Sequence, residues 1–269
     1  MLTLAVQPVG RLLHSNHAVY CVEQLPICSA SSMDFDSDIY LRVREKEGRL
    51  FSDDVVGRLP DLPGAHPLRT EWRARAASAA RLCAYLARLS RPLTILELGC
   101  GNGWLANRLA RLQSCRVIGV DLNHFELSQA ARVFAGNHRL MLLKADIFQA
   151  PLCERSFDTI VIASAIQYFA DLPMLIQRLR PLLSERGAIH VLDSPLYAPS
   201  QVAEARARTQ AYYTALGFPE MADHYHHHTL GALAEFHPTR LYDPGSPIAR
   251  LWRLFRFVDS PFPWMRLRP

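Results

Sequence analysis

The sequence predicts a doubly wound α/β protein: a mostly parallel, seven-stranded sheet carrying an N-terminal helical extension. Three observations predict it. Between residues 93 and 192 short apolar runs alternate with segments of helical periodicity. The short runs are β-branched and apolar at successive positions, as strands covered on both faces must be. The stretch ILELGCGNGW, residues 95–104, ends a run of strand formers in glycines at 99, 101 and 103. A backbone that bare, where a strand gives way to a helix, is free to turn sharply and to approach a ligand.

The elements follow in order. Residues 1–32 have neither sustained periodicity nor a signal-peptide pattern. They are expected to be a loosely ordered extension, with Met33 resembling a natural beginning. Residues 33–68 are polar and turn-rich, with one helix near 39–48, and are expected to form a helical lid segment. A long helix runs to about Leu89, with Trp72, Ala76, Ala79, Cys83, Leu86 and Leu89 on its apolar face, and Pro92 stops it. Strand 93–98, helix 103–112, strand 116–120 and helix 124–135 come next. Strands 140–144 and 159–163, helix 172–183 and strand 188–192 complete the alternation. A helix over 201–216, a histidine-rich link and strands near 239–242 and 263–267 fill the remaining length. Residues 69–269 therefore read as one domain.

The chain of 269 residues has a net charge of +5, but its only lysines are Lys46 and Lys144. So lopsided an arginine usage resembles coding bias more than a selected nucleic-acid patch. One cluster, Arg69, Arg73, Arg75, Arg81, Arg88 and Arg91, faces the single acid Glu71 and reads as a solvated helix face or a contact for an acidic partner. Cys21, Cys28, Cys83, Cys100, Cys115 and Cys153 show no metal or disulfide spacing and are expected to be reduced thiols, which points to the cytoplasm.

The glycine stretch admits three ligands, of which two fail. A phosphate-binding P-loop needs Lys and Ser/Thr after its last glycine, where Trp104 and Leu105 stand. A dinucleotide loop wants a small sixth residue, where Trp104 again stands. What remains, GxGxG preceded by Glu97, resembles the first motif of class I S-adenosylmethionine-dependent methyltransferases, a Rossmann-like fold. The resemblance covers roughly residue 69 to the C terminus and is most specific from 93 to 193.

It implies S-adenosylmethionine as cofactor, held by Glu97, Gly99, Gly101 and Gly103. Asp121, 18 residues past Gly103 in VIGVD, would accept the ribose hydroxyls, with Leu122 beside it. Asp146 in KADIF would bind the adenine amino group while Ile147 packs on the ring. Ser164, ending the fourth strand, would face the methionine end.

For the acceptor the sequence is less specific. No [DN]PP[YFW] signature follows the fourth strand, where Ala163, Ser164, Ala165 and Ile166 stand, and there is no Pro-Cys pair. Both absences point away from nucleic acid. A small-molecule or glycan/lipid-linked acceptor and O- or N-methylation are expected, by a monomer or homodimer. Tyr168, Asp193 and His228 are the acceptor-side candidates. The run of His224, His226, His227 and His228 admits an exposed loop, a general base or, with poor spacing, a metal site; no metal is expected. Tyr40, Trp72, Tyr212 and Tyr213 are candidates for an aromatic lid or for core. The arginine- and aromatic-rich C terminus reads as a packed helix and a last strand, with membrane contact as the lesser reading. Two rivals share the fold: cyclisation or aminocarboxypropyl transfer from the same cofactor, and a non-catalytic binding partner.

Overall fold

The computed structural model describes residues 37–255 and 258–268, so the expectation for residues 1–32 lies outside the described residues. Helix α1 (Ser37–Lys46), the short α2 (Asp53–Val56) and the long α3 (Arg69–Ala87) precede the sheet. Then come β1 (Leu93–Leu98), α4 (Trp104–Ala110), β2 (Cys115–Asp121), α5 (His124–Val133), β3 (Leu140–Lys144) and β4 (Phe157–Ala163). Helix α6 (Leu172–Leu179), β5 (Leu183–Leu192), α7 (Val202–Leu216), β6 (Thr239–Tyr242), α8 (Pro247–Leu254) and β7 (Trp264–Leu267) complete the fold.

The seven strands form one sheet in the order β3-β2-β1-β4-β5-β7-β6. The first five are parallel, and β7 runs antiparallel to both β5 and β6. Two cores cover the two faces. In β1, Leu93 and Ile95 enter one with Leu82 and Leu86 of α3 and Leu105 and Leu109 of α4. Leu96 and Leu98 enter the other with Leu175, Ile176 and Leu179 of α6. That alternation, the period of a strand, puts Glu97 on the same face as Ile95. His190 of β5 is a buried core histidine: its Nδ1 accepts the indole N–H of Trp264, and burial lowers its pKa to about 3.

Several boundaries differ from expectation. Helix α6 stops at Leu179 because Pro181 lacks the N–H that a further turn needs, and the chain continues as a 3-10 turn. Helix α3 ends at Ala87, which leaves Leu89 38% exposed instead of on the apolar face. Half of the arginine cluster on and after α3 is committed within the molecule, while Arg69, Arg73 and Arg88 are exposed. Arg75 pairs with Glu71, Arg81 with Asp259 and Arg91 with Asp158. Helix α8 is not fully packed: Ile248, Leu251 and Phe255 are exposed. Among the described residues no helix is long and apolar enough to cross a membrane.

Candidate functional site

A cavity opens at the carboxyl ends of the parallel strands. Topology explains its place. The chain leaves β1 for one side of the sheet and β4 for the other, so the connecting loops part above these neighbouring strands.

The glycine loop forms its floor. Gly99, Gly101 and Gly103 all have positive φ, at 72°, 51° and 71°. Gly99 is also tightly flanked: a Cβ there would lie 2.6 Å from the Cβ of Ala165. The loop is tied to the next strand by Gly99 and Cys100, whose N–H groups both donate to the Val120 carbonyl.

Five carboxylates line the cavity: Glu97, Asp121, Glu126, Asp146 and Asp193. Glu97 is 3% exposed, and its Oε2 is buried without a hydrogen-bond partner. Burial, with the charge of Asp121 added, pushes its pKa well above the usual carboxylate range. A lone buried carboxylate oxygen of this kind fits a cationic or donor group on a ligand. Asp121 accepts the Gly101 N–H at 2.7 Å and the Asn123 N–H at 2.8 Å, one on each oxygen. Each oxygen keeps a lone pair for a ligand hydroxyl. Leu122 lines the cavity beside it.

Asp146 and Ile147 lie on the loop after β3. The Asp146 carboxylate accepts the Phe148 N–H and the Gln149 side-chain amide. Arg178 of α6 donates to the carbonyls of Ile147 and Ala150 and so fixes this loop from behind. Across the cavity Ser164 and Asp193 directly follow β4 and β5 with positive φ, 55° and 52°, uncommon for side-chain-bearing residues. Ser164 Oγ donates to the Asp193 carbonyl. Asp193 Oδ1 accepts two hydroxyls, from Ser78 at 2.6 Å and Ser260 at 2.8 Å. That oxygen is held in place from α3 and from the C-terminal segment.

Several wall residues went unrecognised in the sequence. Glu126 sits in the first turn of α5, capped by Asn123, whose side chain accepts the N–H groups of Phe125 and Glu126 and donates to the Glu126 carboxylate. Desolvation and Asp121 raise its pKa to about 7. A carboxyl whose folded pKa exceeds its unfolded value stabilises the fold below the unfolded value and loses that contribution as pH rises to the folded one. Glu126→Gln is therefore expected to stabilise the protein at pH 8 by up to about 3 kcal/mol. The difference closes near pH 4, and denaturant unfolding at the two pH values measures it.

Arg44, Arg49, Phe51 and Arg75 also line the cavity, together with Tyr40 and Trp72. Trp72 packs edge-on against Trp104 and Phe51. Helix α1 is held over the site by Val43, which buries against Tyr213 and Met221.

Tyr168 stands between Tyr40 and Tyr225, edge-on to both, and lines this cavity and a second one outside it. His228 is not brought to either cavity: it is 8% exposed, and its Nε2–H is shared between the carbonyls of Ile166 and Phe169. Burial lowers its pKa, so it pins the turn after β4 as a neutral ring. The histidine run is folded inward rather than displayed as an exposed loop, since His227 is also buried and bonds to the Thr209 hydroxyl. Among the described residues no group of three or more His, Cys, Asp or Glu could hold a metal ion.

Residues 95–187 match a protein-family model described as "Methyltransferase domain". The chain is 36% identical over 98 residues to an uncharacterized methyltransferase of Mycobacterium bovis, covering 36% of this chain and 49% of the relative. It is 28% identical over 99 residues to a malonyl-[acyl-carrier protein] O-methyltransferase of Legionella pneumophila, covering 36% of this chain and 35% of that protein. It thus spans half or less of the length of these curated relatives. Geranyl diphosphate C-methyltransferase from Streptomyces coelicolor, solved with Mg2+, geranyl-S-thiolodiphosphate and S-adenosyl-L-homocysteine, shares the fold. Its TM-score is 0.52 at 15% identity, over 76% of this chain and 81% of that one.

Proposed function

We propose, from the premise that this chain carries a class I S-adenosylmethionine-dependent methyltransferase domain, that it transfers a methyl group to a small-molecule acceptor. The cavity at the sheet edge is then the cofactor site. One observation carries this reading: five carboxylates, one with an orphaned buried oxygen, surround a left-handed glycine loop. That lining suits a ligand with cationic centres and neighbouring hydroxyls.

When bound, S-adenosylmethionine supplies an electrophilic methyl group on a sulfonium sulfur. The protein's part is to bind, align and exclude water. Glu97 and the glycine loop hold the methionine end together with Ser164. Asp121 uses the free lone pair on each oxygen for the ribose hydroxyls, with Glu126 next to it. Asp146 takes the adenine edge while Leu122 and Ile147 flank the ring. Asp193, its orientation fixed by two serines, and Tyr168, at the junction of the two cavities, face the acceptor. Residues 33–68 act as the cap and residues 69–269 as the catalytic body.

Analysis of the by-product tests the chemistry. Methyl transfer leaves S-adenosylhomocysteine, and chromatography of a turnover mixture is expected to recover it in step with methylated product. Recovery of methylthioadenosine instead would replace methyl transfer with attack at another carbon of the sulfonium.

A further inference from the structure

The two cavities have opposite characters. The inner one is acidic, whereas the outer one is lined by Arg44, Arg49, Arg75 and Arg208 against only Glu47 and Glu71. Five residues line both and form the passage between them: Arg44, Arg49, Arg75, Ser164 and Tyr168. Arg49 is spent on Glu71, in a bidentate pair at 2.7 and 2.8 Å, and on Glu47. Arg75 shares Glu71. Arg44 is the loosest of the three, with contacts of 3.4 Å to both Glu47 and the Tyr168 hydroxyl. On the outer side these three arginines meet two carboxylates, while Glu126 and Asp121 of the inner cavity also act on Arg44. Beside them Gln167, 7% exposed and on the outer wall, has a buried Oε1 with no partner.

Among the described residues no histidine lines the outer cavity. Arg49 and Arg75 hold the Glu71 carboxyl at about 2, and burial pushes the phenols of Tyr213 and Tyr225 well above their usual range. Glu47 is engaged by Arg44, Arg49 and the Tyr212 hydroxyl. An amine entering the outer cavity would meet arginines.

We propose that the outer cavity receives an acceptor carboxylate, anchored at the passage by Arg44, and that the carboxylate oxygen is the atom methylated. This rests on the methyltransferase reading above. An anion matches the outer lining of four arginines against two carboxylates, and a carboxylate arrives already deprotonated. In the transfer one carboxylate oxygen donates a lone pair to the methyl carbon, and the O–C bond forms as the C–S bond breaks. The C–S electron pair stays on sulfur. An anion and a sulfonium become a neutral ester and a neutral thioether, and no proton moves.

The test uses the full chain saturated with S-adenosylhomocysteine and titrated with 3-phenylpropanoate, octanoate, their methyl esters, octylamine and octyl phosphate. At least one carboxylate is expected to bind at least tenfold tighter than its ester and than octylamine. Arg44→Gln should remove at least tenfold of that affinity and Arg44→Lys restore part of it, each measured at saturating S-adenosylhomocysteine, while thermal unfolding stays near wild type. With methyl-labelled S-adenosylmethionine the label should appear on the carboxylate and be released by mild base as methanol. No carboxylate binding, equal binding of ester or amine, or tighter binding of octyl phosphate overturns the acceptor class. Binding without transfer, or base-stable label, overturns the ester assignment. Failure of S-adenosylhomocysteine itself to bind strikes the underlying reading instead, so the two failures are distinguishable.

Discussion

Asp121→Ala is expected to weaken S-adenosylhomocysteine binding by about 2–3 kcal/mol, roughly 30- to 150-fold, the scale of losing charge-assisted hydrogen bonds. The carboxylate does two jobs at once. It holds the glycine loop through the Gly101 N–H and the start of α5 through the Asn123 N–H. Its remaining lone pairs face the cavity. Asp121→Asn is not conservative here, because an amide has only one oxygen and its NH2 would meet one of those two N–H groups. The asparagine variant should therefore lose at least tenfold as well. Isothermal titration of both variants checks this, and wild-type affinity in either would remove Asp121 from the ribose position.

Gly99→Ala should be strongly destabilising. The backbone there is left-handed, at φ 72°, which costs an L-residue about 1–2 kcal/mol. Its Cβ would also stand 2.6 Å from that of Ala165, and such overpacking adds about 1–3 kcal/mol. The sum, about 2–5 kcal/mol, is a large share of the stability of an ordinary domain and corresponds to a fall in Tm on the order of 5–20 °C. The double variant Gly99→Ala with Ala165→Gly removes the clash and keeps the backbone cost. It should unfold at a higher temperature than Gly99→Ala alone. A double variant no more stable than the single one would mean that the contact with Ala165 carries no cost.

Much of this fold could be read from the sequence because the parallel strands are covered on both faces and so announce themselves as apolar runs. The bounds of β1, β3 and β6 coincide with expectation. The start of β5 was missed because Ser184, Glu185 and Arg186 are polar and only Leu183 pairs with β4 there, through a bulge, before regular pairing resumes at Ala188. The site divides the same way. Glu97, the glycines, Asp121, Asp146 and Ser164 sit at strand ends, where position along the chain dictates position in the cavity. Arg44, Arg49 and Glu126 do not. The two arginines reach the cavity only because α1 folds back over the sheet and buries Val43 against Tyr213, a contact across 170 residues that no local pattern encodes. Glu126 reads as an ordinary first-turn acid until its neighbour Asp121 is seen. His228 misleads in the opposite sense, since a histidine-rich run invites a catalytic reading while its ring nitrogen is already taken by two carbonyls.

Calorimetric titration of the purified chain with S-adenosylmethionine and S-adenosylhomocysteine, with NAD as control, tests the central assignment most directly. Micromolar binding of both sulfur compounds, weakened in Asp121→Ala, with none of NAD, is the expected result. Silence from both sulfur compounds, or affinity for NAD, would contradict the assignment of this cavity.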